Sequence, residues 1–178
     1  MRTGFTQKMT LAALMCTLIC ICSQIQIPLP PVPLSLSLLA VHLAGTLLGP
    51  SLGAAAAGSY VLLGAIGLPV YAGFAGGVSI LLGPTGGFLL GYIASAWLCG
   101  RLVRRFGLSR RALILSISAG TLACYLPGVL WFMLLTGTDL SGAFAVCVLP
   151  FLPGDALKTL LSAALTRRMQ KPLRSVGL

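Results

Sequence analysis

The chain has 178 residues, 57% of them apolar and 8% charged, with twelve Lys/Arg, two Asp/Glu and a net charge of +10. A soluble domain carries about 25% charged residues, so this composition excludes a soluble enzyme, a disordered tail and a coiled coil. It indicates a polytopic membrane protein, and at about 20 residues per span the length allows about six helices with short loops.

No Asp, Glu, Lys or Arg occurs from Met9 to Gly100, so the spans in this half are cut by Pro and Gly. The first predicted helix runs over residues 8–26. Arg2 and Lys8 precede its apolar stretch in the manner of a signal peptide. Ser23-Gln24-Ile25-Gln26 offers no small-x-small cleavage site, and the helix is expected to be retained. Ile27-Pro28-Leu29-Pro30-Pro31-Val32-Pro33 cannot be helical, because proline removes donors and fixes φ; a stiff extended loop is expected. The second helix covers 34–48 and ends at Gly49-Pro50, and the third covers 51–67. Leu68–Thr85 is uncharged yet broken by Pro69, Gly73, Gly76, Gly77, Gly83 and Pro84. Such backbone is tolerated at membrane depth where it packs on protein or lines a cavity. The fourth helix spans 84–103 and the fifth 110–135. A loop with a short helix over 141–148 leads to the sixth, 154–169. The expectation is one all-α membrane domain of six transmembrane helices, with outer loops capping a ligand pocket.

The basic residues orient this bundle. Arg2 and Lys8 lie before the first helix. Arg101, Arg104, Arg105, Arg110 and Arg111 join the fourth and fifth. Arg167, Arg168, Lys171 and Arg174 follow the sixth. Six spans place these three regions on one side, which is cytoplasmic by the positive-inside rule. Both termini are then cytoplasmic in the cell membrane, and the three irregular loops share the outer end. Clustering beside apolar runs, without interleaved aromatics, also argues against a nucleic-acid partner.

The twelfth basic residue is Lys158. It lies inside the sixth helix, three positions after Asp155, in Phe151-Leu152-Pro153-Gly154-Asp155-Ala156-Leu157-Lys158. A lysine within a span costs at least about 2.5–3.5 kcal/mol on insertion scales. Spacing i, i+3 puts the two on one helix face, and Asp155 falls in the first turn, where the dipole favours a carboxylate. The pair offers a donor and an acceptor to a small polar ligand. The alternative is an N-terminal cap plus a lysine reaching the interface, which explains Asp155 better than Lys158. His42 lies mid-helix with no acid near it in sequence. The six cysteines form no C-x-x-C and read as small apolar residues, with no metal or cofactor expected. Gly83, Gly87, Gly91, Ser95 and Cys99, at intervals of four, allow close helix packing. Gly83-Pro84-Thr85-Gly86-Gly87 lacks the Lys-Ser/Thr of a phosphate loop. One His and two acids assemble no convincing catalytic set, so no enzyme activity is expected.

The stretches Gly67-Leu68-Pro69-Val70-Tyr71-Ala72-Gly73-Phe74-Ala75-Gly76-Gly77 and Leu82-Gly83-Pro84-Thr85-Gly86-Gly87-Phe88-Leu89-Leu90-Gly91-Tyr92 resemble the BioY family. These are biotin-binding S components of energy-coupling-factor (ECF) transporters. Ile27-Pro28-Leu29-Pro30 with Val32-Pro33 resembles the family's first outer loop. Leu149-Pro150-Phe151-Leu152-Pro153-Gly154-Asp155-x-x-Lys158 resembles its C-terminal signature. The resemblance implies an S-component bundle that captures biotin on the outer side. Asp155 and Lys158 would line the pocket under the segment Gly73–Gly87. Gly76, Gly77, Thr85, Gly86 and Gly87 would contribute from that segment, and Phe74, Tyr92 and Tyr125 would supply apolar walls. Where family members often carry Thr-x-Gln, this chain has Ser35-x-Ser37. Where S components tend to carry Ala-x-x-x-Ala, it has Ala12-x-x-x-Cys16 and Ala13-x-x-x-Thr17. These four residues would face a transmembrane coupling subunit, which works with two ATPase subunits. Membrane lipid surrounds the rest. The runner-up is a stand-alone carrier for a small vitamin; a structural protein whose Asp155–Lys158 pair fixes helix register is a third reading.

Overall fold

The computed structural model describes residues 4–29 and 31–175, with side chains to residue 170; Arg2, Pro30 and the side chains of Lys171 and Arg174 lie outside the described residues. Eight helices and one small hairpin follow in chain order. They are α1 (Phe5–Gln24), β1 (Gln26–Ile27), β2 (Leu34–Ser35), α2 (Ser37–Leu48), α3 (Pro50–Ala65), α4 (Val78–Leu82), α5 (Gly86–Phe106), α6 (Arg110–Thr136), α7 (Leu140–Cys147) and α8 (Leu152–Ser175). Helices α1, α5 and α6 are each long and apolar enough to cross a bilayer, as are α7 and α8 together, bent by 55°.

Several boundaries differ from expectation. The second helix starts at Ser37, not residue 34, because Leu34 and Ser35 pair antiparallel with Ile27 and Gln26. The proline-rich segment is therefore the turn of a hairpin, closed by the Leu36 N–H donating to Ile25 O at 3.0 Å. The glycine-rich segment is not wholly irregular, since α4 occupies five of its residues. Helix α5 starts at Gly86, and α8 starts at Leu152, which places Pro153 in its first turn, where the missing N–H breaks no helical bond. Asp139 caps α7, its carboxylate accepting from the Gly142 N–H at 3.2 Å.

Helix α6 shows how the bundle meets lipid. Leu115, Leu122, Leu126 and Leu130 are exposed along one side, while Leu113, Ile117, Cys124 and Gly128 are buried on the other. A contiguous row of exposed leucines along one helix side suits hydrocarbon. The inward face packs on α5 through small residues. A Cβ at Gly91 would stand 2.6 Å from Cys124 O, and one at Gly128 or Gly120 would strike the Phe88 ring or Cys99 Sγ. The small-residue stripe of α5 thus forms the α5–α6 seam. Gly83 is not part of it, because it precedes the helix and faces the Ser79 and Ile80 carbonyls. On another side of α5, Gly45 of α2 lies against the backbone of Ala96. These contacts hold α2 and α6 on α5, and α8 packs on α2 and α6.

Candidate functional site

The bend between α7 and α8 points the start of α8 into the bundle. Asp155 and Lys158 are each 5% exposed there. Lys158 Nζ donates to Asp155 Oδ1 at 2.7 Å, and Tyr125 OH of α6 donates to Asp155 Oδ2 at 2.5 Å. Among the described residues this is the one ion pair. A buried pair gains little net stability over well-packed apolar residues, but loss of one partner strands the other charge. Stability alone does not account for it. Two of the three Lys158 protons, and further lone pairs of Asp155, remain for a ligand.

Two adjoining cavities open beside the pair. The polar one, about 50 Å³, is lined by Asp155, Lys158, Tyr125, Cys124, Phe151 and Leu38. The apolar one, about 200 Å³, is lined by Tyr60, Tyr71, Ala72, Ala75, Ile80, Thr85 and Leu89. They share Val32, Pro33, Ser35, Phe88 and Tyr92 as a common wall. The chamber therefore has one charged end and one apolar end. Along the wall, Ser35 Oγ and Ser37 Oγ are 2.6 Å apart, and Ser37 Oγ lies 2.5 Å from Tyr92 OH. Below it, His42 is fully buried, with Nε2 3.4 Å from Thr121 Oγ1 of α6.

The loop between α3 and α4 roofs the chamber and is held by both α1 and α3. Ser23 Oγ donates to Val70 O at 2.5 Å, and Gln24 Nε2 donates to Val70 O and Tyr71 O, both at 3.1 Å. Gln24 Oε1 accepts from the Phe74 N–H at 2.9 Å. Tyr71 OH donates to Val61 O at 2.6 Å, and the Gly77 N–H to Gly64 O at 2.7 Å. Each net hydrogen bond contributes about 0.5–1.5 kcal/mol. Gln24→Leu removes three at similar volume. Hydrogen exchange at the Phe74 amide is expected to accelerate about tenfold or more, while α5 and α6 amides keep their rates. Unchanged exchange at Phe74 would show that Gln24 does not hold the roof.

The sequence-predicted residues divide between wall and frame. Asp155, Lys158 and Tyr125 meet in the polar cavity, Thr85 lines the apolar one, and Tyr92 lines both. Phe74 does not line either. It is 71% exposed at the roof's tip, with a left-handed φ of 57°, and Phe88 supplies the aromatic wall instead. Gly76, Gly77, Gly86 and Gly87 shape the frame. Gly77 takes φ 102°. A Cβ at Gly76 would meet the Leu68 carbonyl, one at Gly86 that of Leu81, and one at Gly87 that of Pro127. The reading of the residues missed Phe88, Tyr60 and Tyr71. Phe88 and Tyr92, at i, i+4, were the available signal.

Elsewhere, Ala12, Ala13, Cys16 and Thr17 all line one groove of about 500 Å³ between α1 and α3, with Leu52, Ala55 and Ser59 opposite. Ala13 and Thr17 are exposed, whereas the Cys16 side chain turns inward and is buried.

Comparison with known proteins decides the family. The BioY family model matches residues 1–175. The chain belongs to the BioY family. A probable biotin transporter BioY of Pyrococcus horikoshii is 35% identical over 164 residues, covering 92% of this chain and 96% of the relative. The biotin transporter BioY of Thermotoga maritima is 37% identical over 131 residues, covering 74% and 76%. Among solved structures, the S-component for biotin from an ECF-type ABC transporter superposes with a TM-score of 0.86 at 28% identity, covering 96% of this chain and 94% of that one. This BioY chain is thus a membrane protein with the S-component fold, and its named relatives are transporters.

Proposed function

We propose that this chain captures biotin in the outer chamber and takes it up as the substrate-binding subunit of an ECF transporter. Family membership, together with a buried Asp155–Lys158 pair at one end of an apolar chamber, carries the reading. Biotin has the complementary chemistry. Its ureido N–H groups suit a carboxylate, its ureido oxygen and carboxylate suit an ammonium, and its bicycle and chain suit Phe88, Tyr60 and Tyr92. The absence of a nucleotide motif makes concentrative uptake depend on other subunits. The small-residue groove between α1 and α3 is the surface for the coupling subunit, because it admits a partner backbone closely. Uptake of labelled biotin by cells that make this chain, with and without the coupling and ATPase subunits, tests this. The reading expects concentrative uptake only with them. Equal uptake without them means a stand-alone carrier.

We infer six crossings, made by α1, α2, α3, α5, α6 and α8, with both termini and the Arg101–Arg111 segment cytoplasmic. The charge asymmetry supports this orientation. In a background without native cysteines, Ser109→Cys should resist an impermeant thiol reagent in intact cells and Ser141→Cys should react. Labelling of the first from outside overturns the topology.

A further inference from the structure

At the end of the bundle opposite the chamber, a cavity of about 560 Å³ opens between α6 and α8. Its polar side is made by Arg110, Arg167 and Arg168, and its apolar side includes Ile114, Leu160 and Ala164. On both helices the order is the same. Arg110 opens α6, Arg167 and Arg168 lie about two turns before the end of α8, and in both helices the apolar residues lie about one to two turns further toward the middle of the bundle. Ala164 leaves space, and the wall continues onto exposed Leu161 and Leu165.

Among the described residues, Arg110, Arg167 and Arg168 have no contact of the kind that Arg101, Arg104 and Arg105 have. The Arg101 guanidinium stacks 5.3 Å over the Trp97 ring, and that of Arg105 lies 5.7 Å over the Phe106 ring. The Arg104 guanidinium sits against Gly49 at the α2–α3 turn. No side-chain carboxylate can reach the cavity, because the chain has only Asp139 and Asp155. Asp139 follows the far end of α6, about 40 Å away for a helix of that length, and Asp155 opens α8, about 18 Å from Arg167. Among the described residues nothing neutralises these arginines.

We infer that this cavity binds an anionic phospholipid. The phosphate meets Arg110, Arg167 and Arg168, and an acyl chain lies along Ile114, Leu160 and Ala164. Basic pockets between spanning helices are suited to such head groups, and guanidinium forks match phosphate oxygens. A free phosphate would make no use of the apolar wall. The assignment is independent of the ligand in the outer chamber.

Native mass spectrometry of the detergent-purified full chain tests it, with phosphatidylglycerol and phosphatidylcholine of identical acyl chains. The parent is expected to retain phosphatidylglycerol about tenfold or more over phosphatidylcholine. R110Q/R167Q/R168Q is expected to lose that preference. R101Q/R105Q/R111Q removes the same charge from the same end and is expected to keep it. Should the first triple variant not fold, Arg110→Gln and Arg167→Gln alone should each lower the preference about fivefold. Equal loss in both triple variants, or no preference in the parent, overturns the site. Displacement of the lipid by millimolar inorganic phosphate makes it a free-anion site and also overturns the proposal. So does a parent without lipid preference whose R110Q/R167Q/R168Q variant fails to co-purify with other subunits, since the cavity is then a protein contact.

Discussion

Lys158→Ala is expected to weaken biotin binding by roughly 30- to 4000-fold. Truncating one partner of a buried, hydrogen-bonded charge pair costs about 2–5 kcal/mol, and each 1.4 kcal/mol is a factor of ten. Here the cost has two sources: the ligand loses its donor, and Asp155 is left buried with Tyr125 as its remaining partner. Asp155→Asn keeps the size and one acceptor, so it should lose less than Asp155→Ala. Tyr125→Phe removes a single donor and should lose less still. Lys158→Arg keeps the charge but brings a planar fork into a space of about 50 Å³, so it should also bind poorly. If the pair only holds helix register, these variants lower the melting temperature while the surviving protein binds biotin as before. Calorimetric affinities read beside melting temperatures separate the two outcomes.

Ala13→Trp is expected to abolish co-purification with the coupling subunit and leave biotin affinity intact. Ala13 is exposed on the groove between α1 and α3. An indole there keeps two helix backbones apart. The chamber is beyond its reach, because the part of α1 that holds the roof is Ser23 and Gln24, about three turns on. Equal loss of partner and ligand would mean that α1 supports the fold rather than the interface.

What the sequence made legible follows from local chemistry. Asp155 and Lys158 stood out because a lysine on the outer side runs against the charge bias and its acid lies one turn away. The α5 stripe was readable from its four-residue spacing. Tyr125 shows the limit: the family resemblance implied an apolar wall there, and its hydroxyl's bond to Asp155 had no local signal. It lies 30 positions from Asp155 in a helix apolar all round, and no periodicity separates a pocket-facing residue from a lipid-facing one when both are apolar. Gln24 has the look of an interfacial residue, and its role appears only when residues 70–74 fold back 46 to 50 positions later. Phe74 and Phe88 flank one glycine-rich stretch, and the roof's left-handed turn carries the first outward. Leu34-Ser35 reads as helix start, but the hairpin closed across the prolines claims it.

The central claim is that this chain, without other subunits, holds biotin between a charged pair and an apolar wall. Calorimetric titration of the purified chain with biotin, dethiobiotin and thiamine tests it most directly. The account predicts saturable biotin binding at one site. Dethiobiotin should bind too, since it keeps the ureido and carboxylate groups, and thiamine, a cation without a carboxylate, should not. No heat of binding with biotin, or thiamine binding as tightly, would contradict it.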